Sequence, residues 1–159
     1  FVANYAEGNR VWLNDTGSFY DSGQRLGYGN SWDVSLADLD KDGDLEIYAV
    51  LGGWYTGDSF KDFIFGTNDN FKGLNINLSG SASNTLGIGA KVEAVFDDRT
   101  IFRQLFNSSS FGNNPLSVYL GLDHSSELRS VKVYWPSGAT TETNLVGFFG
   151  MTLQLDEGK

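Results

Sequence analysis

The chain contains no cysteine, and that absence removes disulfide frameworks, thiol nucleophiles and zinc–thiolate centres together. It leaves the compartment open, because a cysteine-free chain folds equally well under reducing and oxidising conditions. Histidine is almost as scarce: the single one, His124, sits in the polar stretch GLDHSSE, where a solvent-facing position is expected. A zinc site needs at least a second His or a Cys, and no G-x-S-x-G elbow presents a serine to a base. Only 2 prolines stand against 20 glycines, so tight turns are expected and rigid linkers are not. No apolar run of about 18 residues and no basic-then-apolar N-terminus occurs, so no membrane insertion is expected. Basic residues are outnumbered, 11 against 20 acidic, and the net charge of -9 argues against the phosphate-neutralising surface that nucleic-acid binding requires. Metal cations are the natural partners of such a chain. Because the text at Phe1 already reads as folded sequence, a monomeric module within a longer chain is expected.

What is present is core material. At 159 residues, 40% hydrophobic and 14% aromatic, the chain can bury most of its apolar surface without a covalent staple. Short runs of alternating, β-branched or aromatic residues recur between Gly, Asn, Asp and Ser clusters, which is the pattern of an all-β fold. Strands are expected at VWLN (11–14), SWDVSLA (31–37), EIYAVLG (46–52), DFIFG (62–66) and GLNINLS (73–79). Five more are expected at AKVEAVF (90–96), IFRQLF (101–106), LSVYLGL (116–122), SVKVYW (130–135) and MTLQLD (151–156). Leu74, Ile76 and Leu78 alternate with Asn75 and Asn77, and Val131, Val133 and Trp135 with Lys132 and Tyr134; each such strand should have one buried and one wet face. No window shows a capped helical period. The Gly- and aromatic-rich stretch 52–70 reads as a hairpin with a long loop, with a soft boundary near 66–72. The expectation is therefore two closely packed parts, 1–70 and 71–159, forming one unit.

The strongest chemical signal is DLDKDGDLE, residues 38–46. Calcium takes six to eight oxygens, and a loop with carboxylates at alternate positions wraps it if a glycine permits the sharp turn. Asp38, Asp40 and Asp42 fall at positions one, three and five, Gly43 at six, and Asp44 offers its carbonyl at seven. An EF-hand needs a glutamate at position twelve, but that position is Ala49, inside an expected strand. Glu46, at position nine, is the available closing carboxylate, so the loop belongs in a β-hairpin. Without a cation, five carboxylates within nine residues repel one another; the bland alternative is a solvated acidic turn.

GNRVWLNDTGSFYDSGQ followed by WDVSLADLDKDGDLEIYAV resembles one FG-GAP or VCBS repeat, over about residues 8–51. The resemblance implies calcium binding by Asp38, Asp40, Asp42, Asp44 and Glu46, with Glu46 where the family more often has Asp. FKGLNINLSGSASNTLGIGAKVEAV, VYLGL and SVKVYWPSGATTETNLVG resemble the ASPIC/UnbV domain, over about 71–156, with GIGA (87–90) and WPSG (135–138) as its marks. That family identifies a module more than an activity. GIGAKV also invites comparison with a dinucleotide fingerprint, but a strand-like KVEAVF follows where a helix N-terminus is needed. Gly87 and Gly89 more plainly supply a bulge or close backbone contact, and Pro136-Ser137-Gly138 a turn.

Further calcium ligands could come from Asp58, Asp62, Asn68-Asp69-Asn70, Asp97-Asp98 or Asp123. Trp54 and Tyr55, flanked by glycines, read either as core residues of a long hairpin or, with Asp58 beside them, as a ligand-binding platform for a sugar ring or an apolar side chain. The expectation is an antiparallel β-sandwich-like module with a calcium-loop hairpin repeat packed on it, holding Ca2+ and no catalytic residues. Acidic, cysteine-free and calcium-looped, the chain is similar to ligand-binding modules of large RTX-type bacterial adhesins. The implied role is an extracellular, cell-surface module recognising a peptide or glycan. A calcium-stiffened spacer and an accessory domain of a secreted polysaccharide-degrading enzyme are the alternatives.

Overall fold

A computed structural model describes residues 1–52, 56, 59–66, 72–107, 113–122, 126–145 and 151–159. The chain divides into two compact units: Phe1–Ala37 with Leu45–Gly66 and Ser108–Asn114, and Asp38–Asp44 with Thr67–Asn107 and Pro115–Lys159. All regular structure among the described residues is β, and none of the sheets closes into a barrel.

In the first unit β1 (Asn9–Asp15) and β2 (Ser18–Leu26) form an antiparallel hairpin. Its two-residue turn, Thr16-Gly17, has positive φ at both positions (48° and 95°), the backbone that matches the right-handed twist of paired strands. The Asn14 side chain accepts a hydrogen bond from the Gly17 N–H at 3.0 Å. β3 (Asp33–Ala37), β4 (Glu46–Val50) and β5 (Phe63–Phe65) make an antiparallel meander in that order. Ala49 and Leu51 are its buried apolar residues.

The second unit contains β6 (Lys72–Ser79), β7 (Lys91–Phe96), β8 (Thr100–Gln104), β9 (Val118–Leu122), β10 (Leu128–Tyr134), β11 (Thr140–Asn144) and β12 (Met151–Asp156). They form a four-stranded sheet, β11-β10-β7-β8, and a three-stranded sheet, β12-β6-β9. One buried cluster draws on both sheets: Leu74, Ile76 and Leu120 from the smaller, Val92, Val131 and Val133 from the larger. This is the face-to-face packing of a β-sandwich, and the expected parities hold, with Leu74, Ile76, Leu78, Val131, Val133 and Trp135 all buried. One pairing departs from the antiparallel rule, since β12 runs parallel to β6. No tight hairpin joins those two strands; the chain passes through the other sheet between them, so nothing forces their directions apart.

The two sequence marks of this unit meet in space. A Cβ on Gly87 would lie 2.7 Å from Leu78 Cβ and 3.3 Å from the Trp135 ring, and φ there is +66°. Only glycine fits such a left-handed, crowded position without strain. Trp135 is buried, and its indole N–H donates to Thr141 Oγ1 at 3.0 Å. Pro136-Ser137-Gly138 turns the chain from β10 to β11, closed by the Gly138 N–H to the Trp135 carbonyl at 2.9 Å.

Candidate metal centre

The loop between β3 and β4 is residues 38–45. Its backbone is built by its own side chains: Asp40 Oδ1 accepts the Asp42 N–H at 3.2 Å, and Asp42 Oδ1 accepts the Asp44 N–H at 3.1 Å. These are side-chain-to-backbone turns of the kind aspartate favours. Lys41 and Gly43 take positive φ, 64° and 99°, reversing the chain twice so that alternate carboxylates converge.

Two groups result. Carboxylate oxygens of Asp38, Asp40 and Asp42 lie within 4.8 Å of one another, and so do those of Asp42, Asp44 and Glu46 along the next few residues. Asp42 belongs to both. Oxygens on opposite sides of one calcium ion, at 2.3–2.6 Å each, stand about 4.6–5.2 Å apart, so either group is the size of a single coordination shell. Two like unit charges about 5 Å apart repel by roughly 1–3 kcal/mol at dielectric constants between water and a protein surface. Asp40 and Asp42 are exposed and can shed some of that into solvent, whereas Asp44 and Glu46 are buried.

Asp38 tests whether these residues fit a cation. Its Oδ1 is shut away from solvent with no hydrogen-bond partner among the described residues. A carboxylate oxygen denied both water and a donor is costly, and a hard cation held by oxygen ligands removes the cost. The donor set and the orphaned oxygen both fit calcium.

The other acidic candidates have structural partners. Asp62 accepts from the Tyr48 hydroxyl and the Leu51 N–H. The Tyr48 bond, then the backbone one, holds its carboxyl below the usual carboxylate range, while the same carboxylate raises the Tyr48 phenol. Asp97 accepts the Glu127 N–H at 2.9 Å, and Asp98 pairs with Arg99 and the Ser126 hydroxyl. Among the described residues only the 38–46 loop gathers three acidic ligands. Trp54, Tyr55, Asp58, Asn68-Asp69-Asn70, Asp123 and His124 lie outside the described residues.

Sequence reasoning missed the support beneath the loop. Gly43 is buried, and its carbonyl accepts two hydrogen bonds from within the second unit: from the Gly73 N–H at 2.6 Å and from the Tyr119 hydroxyl at 2.7 Å. A glycine in front of an alternating strand was the available signal at Gly73; Tyr119 gave none, since a tyrosine on the wet face of a strand is ordinary.

Taken together these features define an all-β chain in which a hairpin loop of oxygen donors accompanies a β-sandwich. Residues 80–159 match the family model described as ASPIC and UnbV; that is half of the chain, and the chain belongs to this family. Residues 1–49 match the model of the FG-GAP-like repeat, a span that takes in the whole acidic loop. FG-GAP repeats are often calcium-binding, and both domain types are typical of extracellular or surface proteins. No curated protein matches the chain. No helix among the described residues is long and apolar enough to cross a membrane.

Proposed function

We propose that the chain is a calcium-dependent, extracellular ligand-binding module of a larger bacterial surface protein, serving adhesion by recognising a peptide or glycan. The observation that carries the metal part is the buried Asp38 Oδ1, left without a donor beside two further carboxylates. Asp38, Asp40 and Asp42 would hold one cation, with Asp42, Asp44 and Glu46 as the second carboxylate group. A calcium ion there neutralises the loop and, where its shell is incomplete, offers a position to a ligand carboxylate or to vicinal hydroxyls. Asp40 and Asp42, exposed on the loop, leave the approach open on that side. Trp54, Tyr55 and Asp58 are the proposed ligand contacts on sequence grounds. This reading makes the chain a binding module and not a catalyst, which the concentration of its acidic residues in a metal-type loop supports.

Calorimetric titration and thermal melts test the metal. Calcium should bind and raise the melting temperature, and a chelator should reverse the rise. Asp40→Ala gives up its bond to the Asp42 N–H with or without calcium, so the test is the difference between calcium and chelator. The variant should lose most of the calcium-induced gain, and a full gain removes Asp40 from the site. Peptide and glycan arrays with and without calcium test recognition. Capture that survives chelator with the fold intact sinks the metal-bridged mechanism, and no capture on either array replaces adhesion with a calcium-stiffened spacer.

A further inference from the structure

The Gly43–Asp44 peptide stands between two sets of contacts. Its carbonyl accepts the Gly73 N–H at 2.6 Å and the Tyr119 hydroxyl at 2.7 Å. Its N–H, that of Asp44, donates to Asp42 Oδ1 at 3.1 Å. No peptide bond of the described chain is cis, and in a planar trans peptide the carbonyl and the N–H point in opposite directions. Fixing one end fixes the other. With its carbonyl turned to Gly73 and Tyr119, the peptide has to aim the Asp44 N–H back into the loop, at the one carboxylate shared by both acidic groups.

The grip is made specific by Gly73. A Cβ at this position would fall 2.1 Å from the Tyr119 Oη and Cζ, so the tyrosine occupies the space a side chain would fill. Asn75 of β6 pairs with Tyr119 of β9, and residues two apart on a strand share a face. Gly73 and Tyr119 therefore lie together on the side of the sheet opposite Leu74 and Ile76, which are in the core. There the ring lies over the glycine and its hydroxyl reaches the loop.

We propose that Tyr119 is a positioning residue for the metal loop. Together with the Gly73 N–H, its hydroxyl holds the Gly43–Asp44 peptide so that Asp42 presents its carboxylate in the orientation both acidic groups use. This rests on the reading of the loop as a calcium site. Groups that orient a ligand from behind change metal affinity measurably. Coupling of this kind is reciprocal, so a cation held by Asp42 must in turn tighten the hydrogen bonds at Gly43.

Tyr119→Phe in the full chain removes the hydroxyl and keeps the ring over Gly73. Calorimetric titration with calcium chloride, at a temperature where both proteins are folded by circular dichroism, should show affinity lowered about threefold to tenfold, the range one neutral hydrogen bond spans. If the variant binds calcium as wild type does and melts lower by the same amount in calcium and in chelator, Tyr119 is only structural and the proposal fails. Should the variant not fold, hydrogen exchange at the Gly73 N–H of wild type decides: calcium must slow it, and an unchanged rate overturns the coupling. Failure of the underlying reading is distinct, because then wild type itself takes up no calcium, and both statements fall.

Discussion

Three successive backbone N–H groups, from Ser81, Ala82 and Ser83, converge on Oε2 of Glu157 at 2.7–2.8 Å. The hydroxyls of Ser83 and Ser137 donate to Oε1. Burial alone pushes this carboxyl up, but the bonds from Ser137 and Ser83, with that from Ser81, bring it down from an ordinary 4.5 to about 2. A carboxylate that accepts several N–H bonds keeps its charge in this way. Because the folded value is depressed, the stabilisation is fully present above about pH 4.5 and is lost as pH falls through about 2. Glu157→Gln should therefore melt below wild type at neutral pH, and the gap should close towards about pH 2. Thermal melts across that range check it, and a gap independent of pH would assign the effect to shape instead of charge. At this scale the acidic loop was legible, since alternate aspartates with Gly43 at position six state their chemistry in one dimension. Glu157 was not, because the three N–H groups it binds lie more than 70 residues away, at separations of 74 to 76.

All ten strands expected from alternation have a counterpart, with ends that coincide or shift by at most two residues. Two strands, β2 and β11, carry no such signal. β2 (SFYDSGQRL) has Asp, Ser and Gly at its centre, and its pairing with β1 shifts register between Arg10 and Trp12; a bulge breaks the alternation that sequence reading depends on. β11 (TTETN) has no large apolar residue, and its one buried position is Thr141, whose hydroxyl is engaged by Trp135. Edge strands of this kind are held by the ladder and by single polar contacts, so hydrophobic pattern cannot find them. GIGA, by contrast, was readable as a bulge or close backbone contact, and the close contact is what Gly87 makes with Leu78 and Trp135. Gly87→Ala puts a methyl within 2.7 Å of Leu78 Cβ at positive φ, so we expect a loss of about 1–3 kcal/mol from strain and overpacking. Denaturant unfolding measures it, and stability within error of wild type would show that the turn can relax.

Across the whole molecule, 20 acidic residues against 11 basic leave a net charge of -9. Self-repulsion of that size disfavours the folded chain when it is unscreened. In chelator, raising sodium chloride from about 10 to about 100 mM, which shortens the Debye length from about 30 to about 10 Å, should raise the melting temperature. A flat response would mean that the charges are already locally compensated. The sequence by itself determined the all-β class and the run of alternate carboxylates in the loop, because period-two alternation and the spacing of acidic side chains are properties of neighbouring residues. Only the tertiary structure decided that the Gly43 carbonyl is gripped by Gly73 and Tyr119, the latter 76 residues along the chain. Contacts at that separation are fixed by which sheets pack and in what register, and no local preference encodes them.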